Sequence, residues 1–307
     1  MSDPRREAEA RLEGRYEVRV LEPSPPALEG NLDDPTAHSD EPRDRQLVCP
    51  VSDGDVTWDA LAASNEGLAA WCAERWLGAW RRLPPVPDGL VETRLALHRL
   101  AEEVVSPARR EAAGGEISLR FTRCGFGTPF YADDRQVRVE GAELVVVSRE
   151  GERRTSIESL QQCAEFVGDI DSTSVDADPL HIDPGAARFI GDWFGFTTLV
   201  VAELRARGGD GREPATINLW PEHFDVATEL GVEADGARAG YGGSPGDEDH
   251  TEPYLYVAPW EAPPEGELWN ATRFRGAELT YAELLEAEDQ VGAALDFFEP
   301  RLHALTS

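Results

Sequence analysis

Apolar positions along the chain change their period several times, and each change marks an element. Leu61, Leu68, Trp71, Cys72, Trp76 and Trp80 recur at helical spacing and predict one core-facing helix from Trp58 to about Leu83, before Pro84 and Pro85. A second helix starts near Leu90 and turns Leu97, Leu100, Ala101, Val104 and Val105 inward, with His98 as a packed or surface residue. Ser106 and Pro107 read as the cap and first position of a restarted helix. Residues 116–123 then alternate as a strand, with Ile117, Leu119 and Phe121 on one side. Residues 125–129 (GFGTP) read as a turn, and 136–140 with 143–148 as a hairpin around Gly141. Thr155 and Glu158 have capping-box spacing and predict a short helix burying Leu160, Cys163, Ala164 and Val167, stopped by Gly168. The acidic stretch 168–181 reads as a solvated linker and lacks the glycine and closing glutamate of a calcium loop.

Asp183 and Pro184 open the longest helix, whose stripe is Ile190, Trp193, Phe194, Thr197, Val200, Val201 and Leu204, ending at Gly208 and Gly209. Period two returns after it. Ile217 and Leu219 oppose Asn218 and Trp220, and Pro221 interrupts. Phe224, Val226, Thr228 and Leu230 then oppose His223, Asp225, Ala227 and Glu229. This alternation places His223 and Asp225 on one strand face, about 6.5–7 Å apart, with Glu222 in the adjoining turn. Residues 240–247 (GYGGSPGD) read as glycine-dense turn. Tyr254, Tyr256, Ala258 and Trp260 share one face of a further strand, with Leu255 and Val257 on the other. Residues 273–279 predict a last strand, Thr280 and Glu283 a second capping box, and Val291, Ala294, Leu295 and Phe298 a closing helix ending around Pro300.

These elements predict an α+β fold of mainly antiparallel sheets flanked by helices. Residues 1–56 are proline-containing, poor in large apolar residues and acidic; they read as a largely disordered tail, with a short strand at 16–21, before one compact body over 57–307. Residues 57–168 and 180–307 repeat the order helix, strands, cap and helix. Ile117 and Leu119 parallel Ile217 and Leu219, and Thr155, Glu158 and Leu160 parallel Thr280, Glu283 and Leu285. The body therefore reads as two similar α+β halves.

Charge adds a prediction about solvent. The chain has 59 acidic and 29 basic residues, a net charge of −30, and every basic residue is arginine. At about 1 M salt the Debye length is near 3 Å, which screens carboxylate repulsion; the composition predicts a salt-adapted protein. No basic stripe of the kind nucleic acid needs is visible. No long apolar run or secretory leader is present either, so neither nucleic acid nor membrane is expected as partner, and the cytoplasm is the expected compartment. The four cysteines form no CxxC pair, which argues against a zinc cluster or a disulfide framework.

Candidate chemistry concentrates between residues 215 and 260. His223 has the residue type of a general base, with Asp225 or Glu222 to orient it. Asp247 and His250 lie near by in sequence, and His223, Asp225 and His250 form a conceivable zinc or manganese set. Trp220, Tyr241, Ser244, Asp247, His250, Tyr254 and Tyr256 are candidate binding residues, because a few polar groups among aromatics describe most ligand pockets. The plain structural alternative makes His223 and Asp225 a satisfied polar pair on a sheet and the aromatics ordinary core. No nucleophile elbow surrounds Ser244, and no phosphate-loop lysine follows Gly125 and Gly127.

Residues 219–225 (LWPEHFD), 241–247 (YGGSPGD) and 252–257 (EPYLYV) resemble a domain-of-unknown-function family of soluble prokaryotic proteins of haloarchaeal and actinobacterial type. The likeness continues at 191–194 (GDWF) and spans about 58–300. Family members often carry asparagine where this chain has Gly240. The resemblance implies a site in the same stretch and supplies no mechanism. Two functions follow as expectations: a small-molecule or peptide binding module with its site near 220–260, or a hydrolase-like, metal-dependent or metal-free enzyme using His223 and its neighbouring carboxylates. The sequence names no cofactor.

Overall fold

The computed structural model describes residues 27–30, 48–51, 57–76, 82–110, 112–122, 124–132, 135–168, 170–208 and 210–306. The strand expected at 16–21 and Trp80 lie outside them. Within the N-terminal region, β1 (Ala27–Gly30) and β2 (Val48–Val51) pair antiparallel. The single helix expected from Trp58 is two helices, α1 (Trp58–Ser64) and α2 (Glu66–Trp76). Asn65 separates them: its Oδ1 accepts from the Leu68 amide at 2.9 Å, so its side chain caps the second helix instead of letting the first continue.

Helix α3 (Leu90–Leu100) runs through a π-turn at Ala101–Val105 into α4 (Pro107–Arg110). Ser106 is helical and not a cap; its amide reaches Ala101 O at 2.9 Å and its hydroxyl donates to Ile117 O at 2.8 Å. The wider turn accommodates Pro107, which lacks an amide and crowds the preceding turn.

Two five-stranded antiparallel meanders follow, each with its strands in sequence order. The first comprises β3 (Arg120–Thr122), β4 (Gly125–Gly127), β5 (Gln136–Glu140), β6 (Glu143–Ser148) and β7 (Gly151–Ser156). The second comprises β8 (Asn218–Trp220), β9 (Asp225–Leu230), β10 (Ala239–Ser244), β11 (Tyr254–Pro259) and β12 (Ala277–Thr280). Leu119 and Leu219 exchange two backbone hydrogen bonds of 2.8 Å and join the sheets edge to edge. The α+β class, the antiparallel sheets and their similarity are as the sequence pattern predicts.

Several boundaries differ, each for a local reason. Thr155 belongs to β7, and Ser159 caps α5 (Leu160–Val167), accepting from the Gln162 amide at 3.1 Å. The last strand begins at Ala277, not Arg273. Helix α7 (Tyr281–Glu286) has the predicted Thr280–Glu283 capping box. Helix α8 (Gln290–Leu305) continues past Pro300, and Arg301 donates to Phe297 O at 2.6 Å beside the interrupted ladder.

Helix α6 (Pro184–Gly208) is the hub. Asp183 caps it as predicted, accepting from Ala186 at 2.8 Å. Its middle is buried on every side rather than along one stripe, with Trp193 to Ala202 all inside. At Gly191 a β-carbon would stand 2.7 Å from Cys124 O, so only glycine lets the helix lie this close to the first sheet. Phe194 from α6, Phe126 from β4 and Phe224 beside β9 meet edge to face, with centroids 5.2–6.3 Å apart. One hydrophobic core thereby joins both sheets to the central helix.

Candidate functional site

The site lies on the face of the second sheet turned away from α6. Pairing puts Asn218, Ala227, Gly242, Tyr256 and Glu278 in one row across the five strands. Trp220 and Asp225 pair in the next row, as do Ser244 and Tyr254. The expectation that residues 240–247 form a turn fails for its first five: Ala239–Ser244 is the central strand, and the chain leaves it only at Pro245. Its glycines are there because both sides are crowded. A β-carbon on Gly243 would meet Thr197 Oγ1 of α6 at 2.6 Å, and one on Gly242 would meet the Tyr256 hydroxyl at 2.7 Å. The same correction applies to Gly125 and Gly127, which sit inside β4, where β-carbons would meet Val139 O at 2.1 Å and the Arg138 Cβ at 2.4 Å.

The gap at Gly242 lets Tyr256 lean across β10 and donate its hydroxyl to Asp225 Oδ2. Asp225 is 4% exposed, and its Oδ1 has no hydrogen-bond partner among the described residues. Burial pushes the Asp225 carboxyl up to about 6; the Tyr256 bond, the nearby His223 charge and Asp225's own backbone amide pull the other way, and Glu222 adds to the rise. The Tyr256 phenol is pushed well above its ordinary value by burial and by Asp225 beside it.

A second group of side chains adjoins the first. The Asp247 Oδ1 accepts from the Asp249 and His250 amides at 2.8 Å each, closing a tight turn. The Tyr254 hydroxyl donates to Asp247 Oδ2 at 2.6 Å. His250 sits between two carboxylates, Nδ1 at 3.0 Å from Asp247 and Nε2 at 3.2 Å from Glu278. Burial works against the Asp247 charge, yet the bonds from Tyr254 and His250 hold its carboxyl below the usual range. Arg94 pins this turn from α3, donating to Asp247 O at 2.9 Å and His250 O at 3.1 Å. Gly246 leaves room for that guanidinium, since a β-carbon there would lie 2.2 Å from Arg94 Nη1. The rings of Tyr254 and Tyr256 are 6.2 Å apart, and Phe274 meets Tyr256 edge to face at 6.5 Å.

The predicted residues divide sharply. Asp225, Asp247, His250, Tyr254 and Tyr256 come together. Glu222 and His223 do not share a strand face with Asp225; they are exposed in the turn between β8 and β9, where Phe224 takes a left-handed φ of 52°. That conformation, which costs a non-glycine residue about 1–3 kcal/mol, is held by the buried Phe224 ring and its stack on His98 at 5.2 Å. His223 still lies within electrostatic reach of Asp225. Tyr241 faces the core against Phe298 and is no part of the site. Ser244 is buried and closes a local ring with Gly246 N and O. Trp220 is half-buried at the end of β8, and Trp260 lies just past β11, 55% exposed, with Arg238 over its ring.

Among the described residues no group of three or more His, Cys, Asp or Glu side chains could hold a metal ion, so His223, Asp225 and His250 are not gathered into a metal set. Cys163 is buried, which pushes its thiol up to about 12 and makes it unreactive. No described helix is long and apolar enough to cross a membrane. Sequence reasoning missed Arg94, Gly242, Phe274 and Glu278. Arg94 had a signal: it interrupts the inward row Leu90, Leu97 of α3 that continues at Ala101 in the π-turn, and a charge on such a row needs a buried partner. No family model, curated protein or solved structure matches the chain.

Proposed function

We propose that the outer face of the second sheet is a small-molecule binding site, with Asp225 as its polar anchor and Tyr254, Tyr256 and Phe274 as its aromatic frame. One observation carries this reading: a carboxylate with 4% exposure that keeps one oxygen unpartnered among the described residues. Burying a carboxylate without full pairing is costly, and strongly perturbed carboxyls cluster at functional sites. The turn at Asp247, held by Arg94 and His250, supports the reading because it fixes one wall in place. The net charge of −30 supports a salt-adapted protein, and the family resemblance points to the same residues. Protein labelled with 3-fluorotyrosine tests the site. Fragments that bind there shift the fluorine signals of Tyr254 and Tyr256 and leave that of core Tyr241 unmoved. Fragments that bind while moving neither Tyr254 nor Tyr256 refute the assignment.

A second reading is an enzyme in which Asp225, not His223, transfers the proton. It is favoured by a carboxyl held at about 6, in the range that suits acid–base work near neutrality. A hydrolytic activity against simple ester or amide probes that disappears in Asp225→Asn and survives in His223→Gln supports it. An activity lost only with His223 restores the arrangement first read from the sequence.

A further inference from the structure

We infer that the ligand of this site presents a protonated amine on a compact apolar or aromatic frame, and that it reaches Asp225 Oδ1 by displacing the side chain of Tyr256. The inference rests on the binding-site reading above and names its ligand class. Oδ1 accepts only, so its missing partner is a donor. The surroundings select a cationic donor. Around Asp225 and Tyr256 stand the carboxylates of Glu222, Glu229, Asp247 and Glu278. The nearby guanidinium groups are already engaged: Arg238 bonds Glu229 at 3.0 Å, Arg94 bonds the carbonyls of the 247–250 turn, and Arg120 bonds the Asn218 Oδ1. Such a field repels an anionic ligand.

The aromatic frame points the same way. Tyr254, Tyr256 and Phe274 present rings whose faces attract an ammonium group within about 6 Å. Oδ1 is shielded from water, so something must move before a ligand touches it. Tyr256 is the natural gate: its ring is half-buried at the surface of the sheet and its hydroxyl already bonds the other oxygen of the same carboxylate. The floor beneath its ring is Gly242 and Ala227, which put no large side chain in the way of its swing.

The test compares three probes of one shape: benzylamine, benzyl alcohol and phenylacetate, titrated into 3-fluorotyrosine protein at neutral pH. Benzylamine is expected to shift the Tyr254 and Tyr256 signals and to bind at least about tenfold more tightly than the other two, the differential of one charge-assisted contact. Asp225→Asn is expected to remove that preference. Tyr256→Phe, which keeps the ring and drops the competing hydroxyl, is expected to bind benzylamine several-fold more tightly. Affinity should also fall as pH drops through about 6, where Asp225 takes up its proton. The groups acting on or acted on by Asp225 are Tyr256 and Tyr254 from β11 and Glu222 and His223 from the turn, so the pH series is repeated in His223→Gln to remove the imidazole's share. Benzyl alcohol or phenylacetate binding as well as benzylamine overturns the amine assignment and leaves the site standing. Binding of all three without movement of the Tyr254 and Tyr256 signals overturns the site and the inference together. If Asp225→Asn does not fold, the Tyr256→Phe and pH results decide: no gain in the first and no pH dependence in the second refute the inference.

Discussion

Replacing Asp225 by asparagine should stabilise the protein above neutrality and do nothing in acid. The carboxyl rises from 3.8 to about 6 on folding. At about 1.36 kcal/mol per pKa unit, the folded state therefore carries a penalty on the order of 3 kcal/mol once Asp225 is ionised. The sign follows from proton binding. With the folded value raised, the folded state holds the proton where the unfolded state has lost it. Stability linked to this group is full below about pH 4 and is lost as pH rises through about 6. Asparagine keeps the shape, can accept from the Tyr256 hydroxyl and cannot ionise. Urea titrations of both proteins across pH isolate the effect, because the other carboxylates act on both alike. The stability difference between variant and wild type should move by about 2–3 kcal/mol in favour of asparagine from about pH 4 to about pH 8. With a urea slope of about 3 kcal/mol per molar, the midpoint gap changes by nearly 1 M. Stability curves that stay parallel across this range would mean that Asp225 ionises as freely folded as unfolded, and the account of a costly buried carboxylate would fail.

Other consequences are equally direct. Gly242→Ala puts a methyl group 2.6 Å from Val226 O and 2.7 Å from the Tyr256 hydroxyl; we expect a loss of about 1–3 kcal/mol and a displaced Tyr256 fluorine signal, checked by urea melts and NMR. Arg94→Met leaves the carbonyls of Asp247 and His250 without their charged donor; an expected loss of about 2 kcal/mol should coincide with faster amide exchange at Asp249 and His250. Thermal midpoints should climb as potassium chloride is raised from about 0.2 M to about 3 M, since the net charge of −30 is then screened, and a flat or falling curve contradicts salt adaptation.

The sequence reading succeeded where one element carries its own signal. The Asp183 cap of α6, the Thr280 cap and the alternation of β9 and β11 depend on residues close together in the chain. It failed where the reason for a residue sits on another element. Glycine density at 240–243 looks like a turn until Thr197 and Tyr256 are seen pressing on its two sides. Gly125 and Gly127 repeat the lesson against β5. Thr155 has capping-box spacing, but the strand β7 claims it through pairing with Leu144. On the outer face of the second sheet, alternation put Asp225 on β9 and Tyr254 and Tyr256 together on β11, as the strand pairing has them. It misplaced His223, because the left-handed Phe224 backbone puts a turn where the pattern continues as strand. Glu278 and Phe274 enter only through the register of β11 with β12 and the loop before it, which no local spacing encodes.

The central claim is that Asp225 is an anchor whose ionisation is held back until a ligand completes its pairing. A carbon-13 NMR titration of the Asp225 carboxyl, with and without saturating benzylamine, tests it directly. The account predicts a midpoint at about 6 for the protein by itself and a clear downward shift when the amine is bound, since binding favours the ionised form. A midpoint near the ordinary aspartate value, unmoved by the amine, contradicts it.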